Sequence, residues 1–466
     1  MKKTILLIFS VLLLFAVSGQ EITGQWNGIL KVPGAQLRLV FHIDRAGDGY
    51  SSTMDSPDQH AVGIPVTSTT FEKSVLKLLI EQLKVEFTGT YEGDDLIRGT
   101  FTQAGMSFPL DLSKKPVELK KPARPQEPAL PYPYYSEEVK FENSADQVVL
   151  TGTLTLPARE GRFPAVVLIT GSGPQNRDEE VFGHKPFLVL ADYLTRNGIA
   201  VLRFDDRGVA QSTGNFKQAT TLDFAKDAEA AVRFLKSRKE IDAAQIGLVG
   251  HSEGGIIAPI VAASQQDIAF LVLLAGTGIP GGELLLKQQK LIGQSLGISE
   301  TELAQARTIN AGAYELVARN GDPARLEEEL KAYFREQLPN FPASQKPAGM
   351  DDAQLVARLA GQLANPWMSF FISYNPYTIL SRVKCPVLAL NGEKDLQVPA
   401  AENLAAIKEG LKKGGNPNVT AIALPGLNHL FQECKTGSPG EYTEIEQTFS
   451  PGALKVIADW IKSNTR

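Results

Sequence analysis

From Gln25 to about Leu112, hydrophobic and polar positions alternate. Gln36-Leu37-Arg38-Leu39-Val40-Phe41-His42-Ile43 has a period near two, and so has Lys84-Val85-Glu86-Phe87-Thr88-Gly89-Thr90-Tyr91. Gly47-Asp48-Gly49 and Glu92-Gly93-Asp94-Asp95 punctuate these runs. Short alternating runs with regular turn signals predict an antiparallel sheet, as a small barrel or sandwich. Six prolines then fall between Pro116 and Pro133 among lysines, a composition that favours an extended spacer. Beyond it the pattern changes. Val148–Leu154, Pro164–Ile169, Ile199–Phe204, Ile246–Val249, Phe270–Leu274, Val387–Leu390 and Ala421–Leu424 are short apolar runs. They alternate with helical spacing, as in Phe224–Leu235. Strands covered on both faces, separated by helices, predict a mostly parallel sheet with right-handed crossovers. From about Gly281 to Leu380 the period is helical only, over Glu283–Leu296, Ser299–Arg319, Pro323–Gln337 and Asp351–Leu363. That stretch predicts a helical lid inserted between two strands.

The first residues carry a different signal. Lys2 and Lys3 precede an apolar run from Ile5 to Val17, then Ser18-Gly19-Gln20. A basic start, a short apolar core and small residues read as a secretory signal peptide. The run is shorter than the roughly 20 residues that a spanning helix needs. The expected organisation is a signal peptide at 1–19, a β-rich domain at 20–113, a linker at 114–135 and an α/β domain at 136–466 with its lid at about 281–380. The expected location is periplasmic or secreted, with no stable membrane insertion after cleavage. The net charge of -5 disfavours a nucleic-acid partner. Cys385 and Cys434 are too few for a disulfide scaffold, and their places at opposite ends of the expected sheet disfavour a bridge. Neither His-Glu-x-x-His nor Cys-x-x-Cys occurs, so neither metal nor cofactor is expected. Oligomeric state has no signature in the chain.

The chemistry concentrates at Gly250-His251-Ser252-Glu253-Gly254, between the strand Ile246–Val249 and a helix-compatible run, Gly255–Ala263. A serine hydroxyl is a weak nucleophile and must stand beside a base. A sharp strand-to-helix turn lifts it from the sheet, and its flanking positions have room only for glycine. The helix that follows aims free N–H groups at the reacting centre. In this order of elements the acid follows the serine and the histidine comes last. The only histidine after the elbow is His429, directly after the final strand. Asp395 leaves the penultimate strand in Asn391-Gly392-Glu393-Lys394-Asp395, with Glu393 as its rival. Such a carboxylate fixes the tautomer of the imidazole and stabilises the imidazolium. The oxyanion donors are expected to be the backbone N–H groups of Glu253 and Ser172, with Gly173 as the alternative to Ser172.

These segments, with Ile169-Thr170-Gly171-Ser172-Gly173-Pro174, Arg203-Phe204-Asp205-Asp206-Arg207-Gly208 and Gly426-Leu427-Asn428-His429, resemble the esterase and serine-aminopeptidase branch of the α/β-hydrolase superfamily. The resemblance covers about Tyr135 to Arg466, and chains with a β-rich front resemble bacterial carboxylesterases. It implies the α/β-hydrolase fold, a serine esterase acting on a small-molecule ester of short acyl chain, and no cofactor. Many relatives have histidine where this chain has Thr170, which affects loop geometry without removing the backbone donor.

Other residues carry weaker signals. Trp367, Phe370, Phe371 and Tyr374 end the lid, and Trp367, Phe371 and Tyr374 are candidates for the substrate pocket. Asp206 and Arg207 read as a structural ion pair, and His42, His60 and His184 as ordinary sheet or loop residues. A serine exopeptidase is the first rival. It needs carboxylates on the lid for a free amino group, and Glu327-Glu328-Glu329 is the candidate cluster. An inactive binding protein is the second.

Overall fold

The computed structural model describes residues 22–465 except 33–34, 60, 94, 104–105, 119–122, 320–321 and 343–349. The expected leader and His60 lie outside the described residues. The chain divides into two compact units, Met1–Lys120 and Lys121–Arg466.

The first unit is a nine-stranded antiparallel sheet. From edge to edge its strands are Ala61–Pro65, Gly49–Ser56, Ala35–Ala46, Gly24–Val32, Met106–Ser113, Leu96–Gln103, Val85–Gly93, Val75–Ile80 and Ser68–Glu72. The two edge strands are neighbours in sequence, joined only by Val66 and Thr67. Val66 N–H donates to Ser52 O at 3.0 Å, and Thr67 N–H donates to Leu79 O at 2.7 Å. This link touches both margins, so the sheet must curl upon itself. The expected barrel or sandwich is thus one curled sheet. Alternation sends Leu39, Phe41 and Ile43 into its core with Trp26 and Phe87. His42 makes an ordinary surface contact, with Nε2 2.9 Å from Asp55 Oδ2.

The second unit holds an eight-stranded sheet in the order Tyr135–Asn143, Val148–Leu156, Ala200–Phe204, Phe163–Ile169, Ile241–His251, Leu271–Leu274, Val387–Gly392, Val419–Leu424. Val148–Leu156 runs antiparallel to both neighbours, and the other pairings are parallel. The apolar run at the centre explains itself. Val166 and Leu168 join one core cluster, while Val167 and Ile169 join the other across the sheet. Helices Thr221–Lys236, Gly254–Ser264 and Ala400–Lys413 cover one face. Pro186–Arg196 and Pro451–Asn464 cover the other. The edge strand Tyr135–Asn143 was not foreseen. Glu137, Glu138, Lys140 and Glu142 leave only Val139 and Phe141 as its apolar signal.

The insertion between Leu271–Leu274 and Val387–Gly392 is helical, as expected. Its helices are Gly281–Ser295, Glu300–Arg319, Pro323–Gln337, Asp352–Leu363, Pro366–Ser373 and Tyr377–Leu380. They pack around a core of their own that includes Ile309, Leu330, Phe334 and Val356. Among the described residues no helix is long and apolar enough to cross a membrane. Cys385 and Cys434 are free thiols.

Candidate active site

The strand Ile241–His251 and the helix Gly254–Ser264 are separated by only two residues, so the chain reverses sharply at Ser252. Ser252 adopts φ 53°, a left-handed conformation that costs a non-glycine residue roughly 1–2 kcal/mol. Ser252 N–H donates to Leu274 O at 2.8 Å and holds the turn. The flanking glycines are required by space. A Cβ on Gly250 would lie 1.9 Å from Gly254 O, and one on Gly254 would lie 2.1 Å from Ile169 O.

Ser252 and His429 line one cavity of about 240 Å³. His429 Nδ1 lies 2.8 Å from Asp395 Oδ2. Both residues are buried. Asp395 is fixed from behind: its Oδ1 accepts the backbone N–H groups of Gln397 at 2.8 Å and Val398 at 2.9 Å. Asn391 Nδ2 donates to Asp395 Oδ2 at 3.3 Å. Glu393, the rival acid, is exposed. Ser172 and Glu253, the candidate oxyanion donors, also line the cavity. Gly171 N–H is engaged elsewhere, donating to Glu179 Oε1 at 2.7 Å. Thr170 fastens this loop through its hydroxyl, which donates to Asp206 Oδ1 at 2.8 Å.

The lid closes one side. Trp367 and Phe371 line the cavity one helical turn apart, with stacked rings 5.3 Å between centroids. Tyr374 does not join them. It follows the end of the helix Pro366–Ser373, packs its ring 5.7 Å from that of Phe370, and is absent from the lining. Helical spacing aims Phe371 at the cavity and stops before it can aim Tyr374. The adjacent pair Asp206–Arg207 is also corrected. Arg207 instead bonds Asp227 at 2.7 Å and Asp146 at 2.9 Å. Asp206 accepts from Thr170 and from the Gln175 N–H. His184 is buried against Thr448 Oγ1 and Tyr442 O, and burial pushes it down to about 4.

Two acids of this site went unread in the sequence. Glu179 pairs with His251 of the elbow. The Glu253 side chain is fully enclosed, and its Oε1 accepts from Thr221 Oγ1 at 2.7 Å and Trp367 Nε1 at 2.8 Å. Burial raises the Glu253 carboxyl above its usual range, against the pull of the Trp367, Thr221 and Ser172 bonds. Its folded-state pKa therefore exceeds the unfolded value. Above about pH 4.5 the unfolded chain gives up this proton first, so the group lowers stability as pH rises. Glu253→Gln keeps the acceptor and removes the titration. The variant should gain melting temperature over the wild type, by a margin that widens from pH 4.5 to pH 8 in thermal-shift scans. A margin that stays flat or narrows would contradict a raised Glu253.

Among the described residues no group of three or more His, Cys, Asp or Glu side chains is arranged to hold a metal ion. The segment 185–320 matches the family model for serine aminopeptidases of the S33 type. The chain is 29% identical over 317 residues to the esterase EstD of Thermotoga maritima, covering 67% of this chain and 65% of that protein. Two solved structures align with this chain: the α/β hydrolase GrgF from Penicillium, at 18% identity and TM-score 0.44, and the Pyrococcus furiosus esterase Pf2001, at 17% and 0.43. GrgF is matched over 71% of this chain and 99% of its own, and Pf2001 over 75% and 100%. By its sheet order and its strand–turn–helix serine the larger unit resembles the α/β-hydrolases, and its sequence is similar to those of serine aminopeptidases and of an esterase.

Proposed function

We propose that the protein is an exported serine esterase that cleaves small carboxylic esters of short acyl chain through an acyl-enzyme. The observation that carries this reading is Ser252 on a left-handed turn, lining one cavity with a His429 whose Nδ1 is held by Asp395. With Nδ1–H donated to a carboxylate, Nε2 is the free base. Ser252 Oγ attacks the ester carbonyl as His429 Nε2 takes its proton. The oxyanion rests on the N–H groups of Ser172 and Glu253. His429 then protonates the leaving alcohol, and water repeats the cycle on the acyl-enzyme.

The cavity supports the substrate class. Its volume of about 240 Å³ lies below the roughly 300–1,000 Å³ of pockets for drug-sized ligands, in keeping with a short acyl group and a small alcohol. Leu284, Leu285, Trp367 and Phe371 supply apolar wall, and no Lys or Arg is among the lining residues to bind an anionic acyl group. The lid carboxylates that an exopeptidase was expected to use are engaged elsewhere. Glu327 and Glu328 pair with Lys331 and Glu329 with Arg325, and none of the three lines the cavity. The basic, apolar leader at Lys2–Gln20 supports work in the periplasm or outside the cell. A panel of short acyl nitrophenyl esters against aminoacyl anilides tests the class. The esters should turn over with the anilides left intact, and the reverse order would put the exopeptidase in its place.

A further inference from the structure

Three segments that the reaction must hold in register meet at two side chains. Glu179 lies on the loop after the strand Phe163–Ile169, and it is buried. Its Oε1 accepts the Gly171 N–H at 2.7 Å and stands 2.8 Å from His251 Nδ1. His251 ends the strand that carries the nucleophile, and its Nε2 lies 3.0 Å from the backbone oxygen of His429. A carbonyl oxygen only accepts, so Nε2 must carry a proton. At the other nitrogen the partner is a carboxyl oxygen that already accepts an N–H bond. That oxygen is best served as an anion, which leaves the second proton on Nδ1. Burial alone would strip that proton, but the Glu179 carboxylate and the His429 carbonyl outweigh it and raise His251.

We infer that Glu179 and His251 form a buried carboxylate–imidazolium pair that ties the oxyanion loop to the loop bearing the base. The inference rests on the assignment of His429 as base. The rings of His251 and His429 are 4.9 Å apart between centroids, tilted by 47°. The titratable groups around His251 are Glu179 from the oxyanion side and His429 and Asp395 from the loops after the last two strands. Phe431 packs its edge from the remaining side, 6.4 Å away. Both side chains are positioning residues, since they act through backbone groups and charge.

The chain has five histidines, so ¹⁵N-histidine labelling of the whole protein gives a readable spectrum, with His251→Gln identifying the His251 signals. The expected result is two ring N–H protons on His251 at pH 7 in the wild type and one in Glu179→Gln. In Glu179→Gln the charge that ties the two loops is lost, and kcat/KM should fall about tenfold or more in the folded variant. Glu179→Asp keeps the anion and should keep both protons and most of the activity. A purely steric role would leave the ring-proton count of His251 the same in Glu179→Gln as in the wild type. One ring proton on wild-type His251 at pH 7 overturns the pair. Wild-type kcat/KM in a Glu179→Gln variant that has lost the proton overturns the role of the pair in holding the two loops. Wild-type turnover in Ser252→Ala would instead overturn the reading of the base itself, while the proton count on His251 would still decide the pair.

Discussion

Ser252→Ala is expected to lower kcat for a short acyl ester on the order of 10⁴- to 10⁶-fold, the range that loss of a serine nucleophile produces in acyl transfer. The size of the effect follows from chemistry that no neighbour replaces. Ser172, Thr277 and Tyr442 also line the cavity, but only Ser252 stands on the strained turn between strand and helix. Residual turnover would come from water oriented by the oxyanion donors. Alanine keeps a Cβ at the φ of 53°, so the strain of the turn is unchanged and the fold should survive. Thermal unfolding of the variant should stay within a few degrees of the wild type. A fluorophosphonate probe with intact-mass readout gives the second measurement. One adduct is expected on the wild type and none on the variant. Turnover within tenfold of the wild type in a folded variant would remove Ser252 from the mechanism.

How far the sequence foretells this site depends on the range of the forces involved. The turn at Ser252 is legible because its cause is local. Gly250 and Gly254 face backbone oxygens about 2 Å from where a side chain would begin, so no other residue fits there. The nearness of Asp395 and His429 is legible one step further out. Val387–Gly392 and Val419–Leu424 are adjacent parallel strands, so the loops after them emerge at the same edge. The Glu179–His251 pair is not legible, because its members lie 72 residues apart and no pattern links them. Asp206 and Arg207 misled for the opposite reason. Neighbours in sequence suggest a pair, but the guanidinium reaches Asp227 on the helix Thr221–Lys236 instead. Tyr374 misled because the helix that would have aimed it ends at Ser373. In the β-rich unit, alternation foretold strands and inward faces. Closure of the sheet depends on Val66 and Thr67 bonding to two separate strands, which a period of two does not encode.

Asp395→Asn should cost about 10⁴-fold in kcat, the scale of removing the charge while keeping the shape of the orienting acid. The backbone decides how the amide must sit. Oδ1 of Asp395 accepts two N–H groups, from Gln397 and Val398. An asparagine must therefore leave its carbonyl oxygen at that position and turn its NH₂ toward His429. Facing a donor, His429 Nδ1 becomes an acceptor, and the ring proton moves to Nε2. The imidazole then presents a proton to Ser252 where it should accept one. The fold should change little, since the two backbone bonds are retained. Asn391 Nδ2, 3.3 Å from Oδ2, would face a second NH₂ and adds a modest cost. Glu393→Gln is the control: this exposed side chain should alter kcat less than threefold. Steady-state kinetics of both variants, with thermal melts, test the assignment together. A small loss in Asp395→Asn beside a large loss in Glu393→Gln would transfer the role of the acid to Glu393.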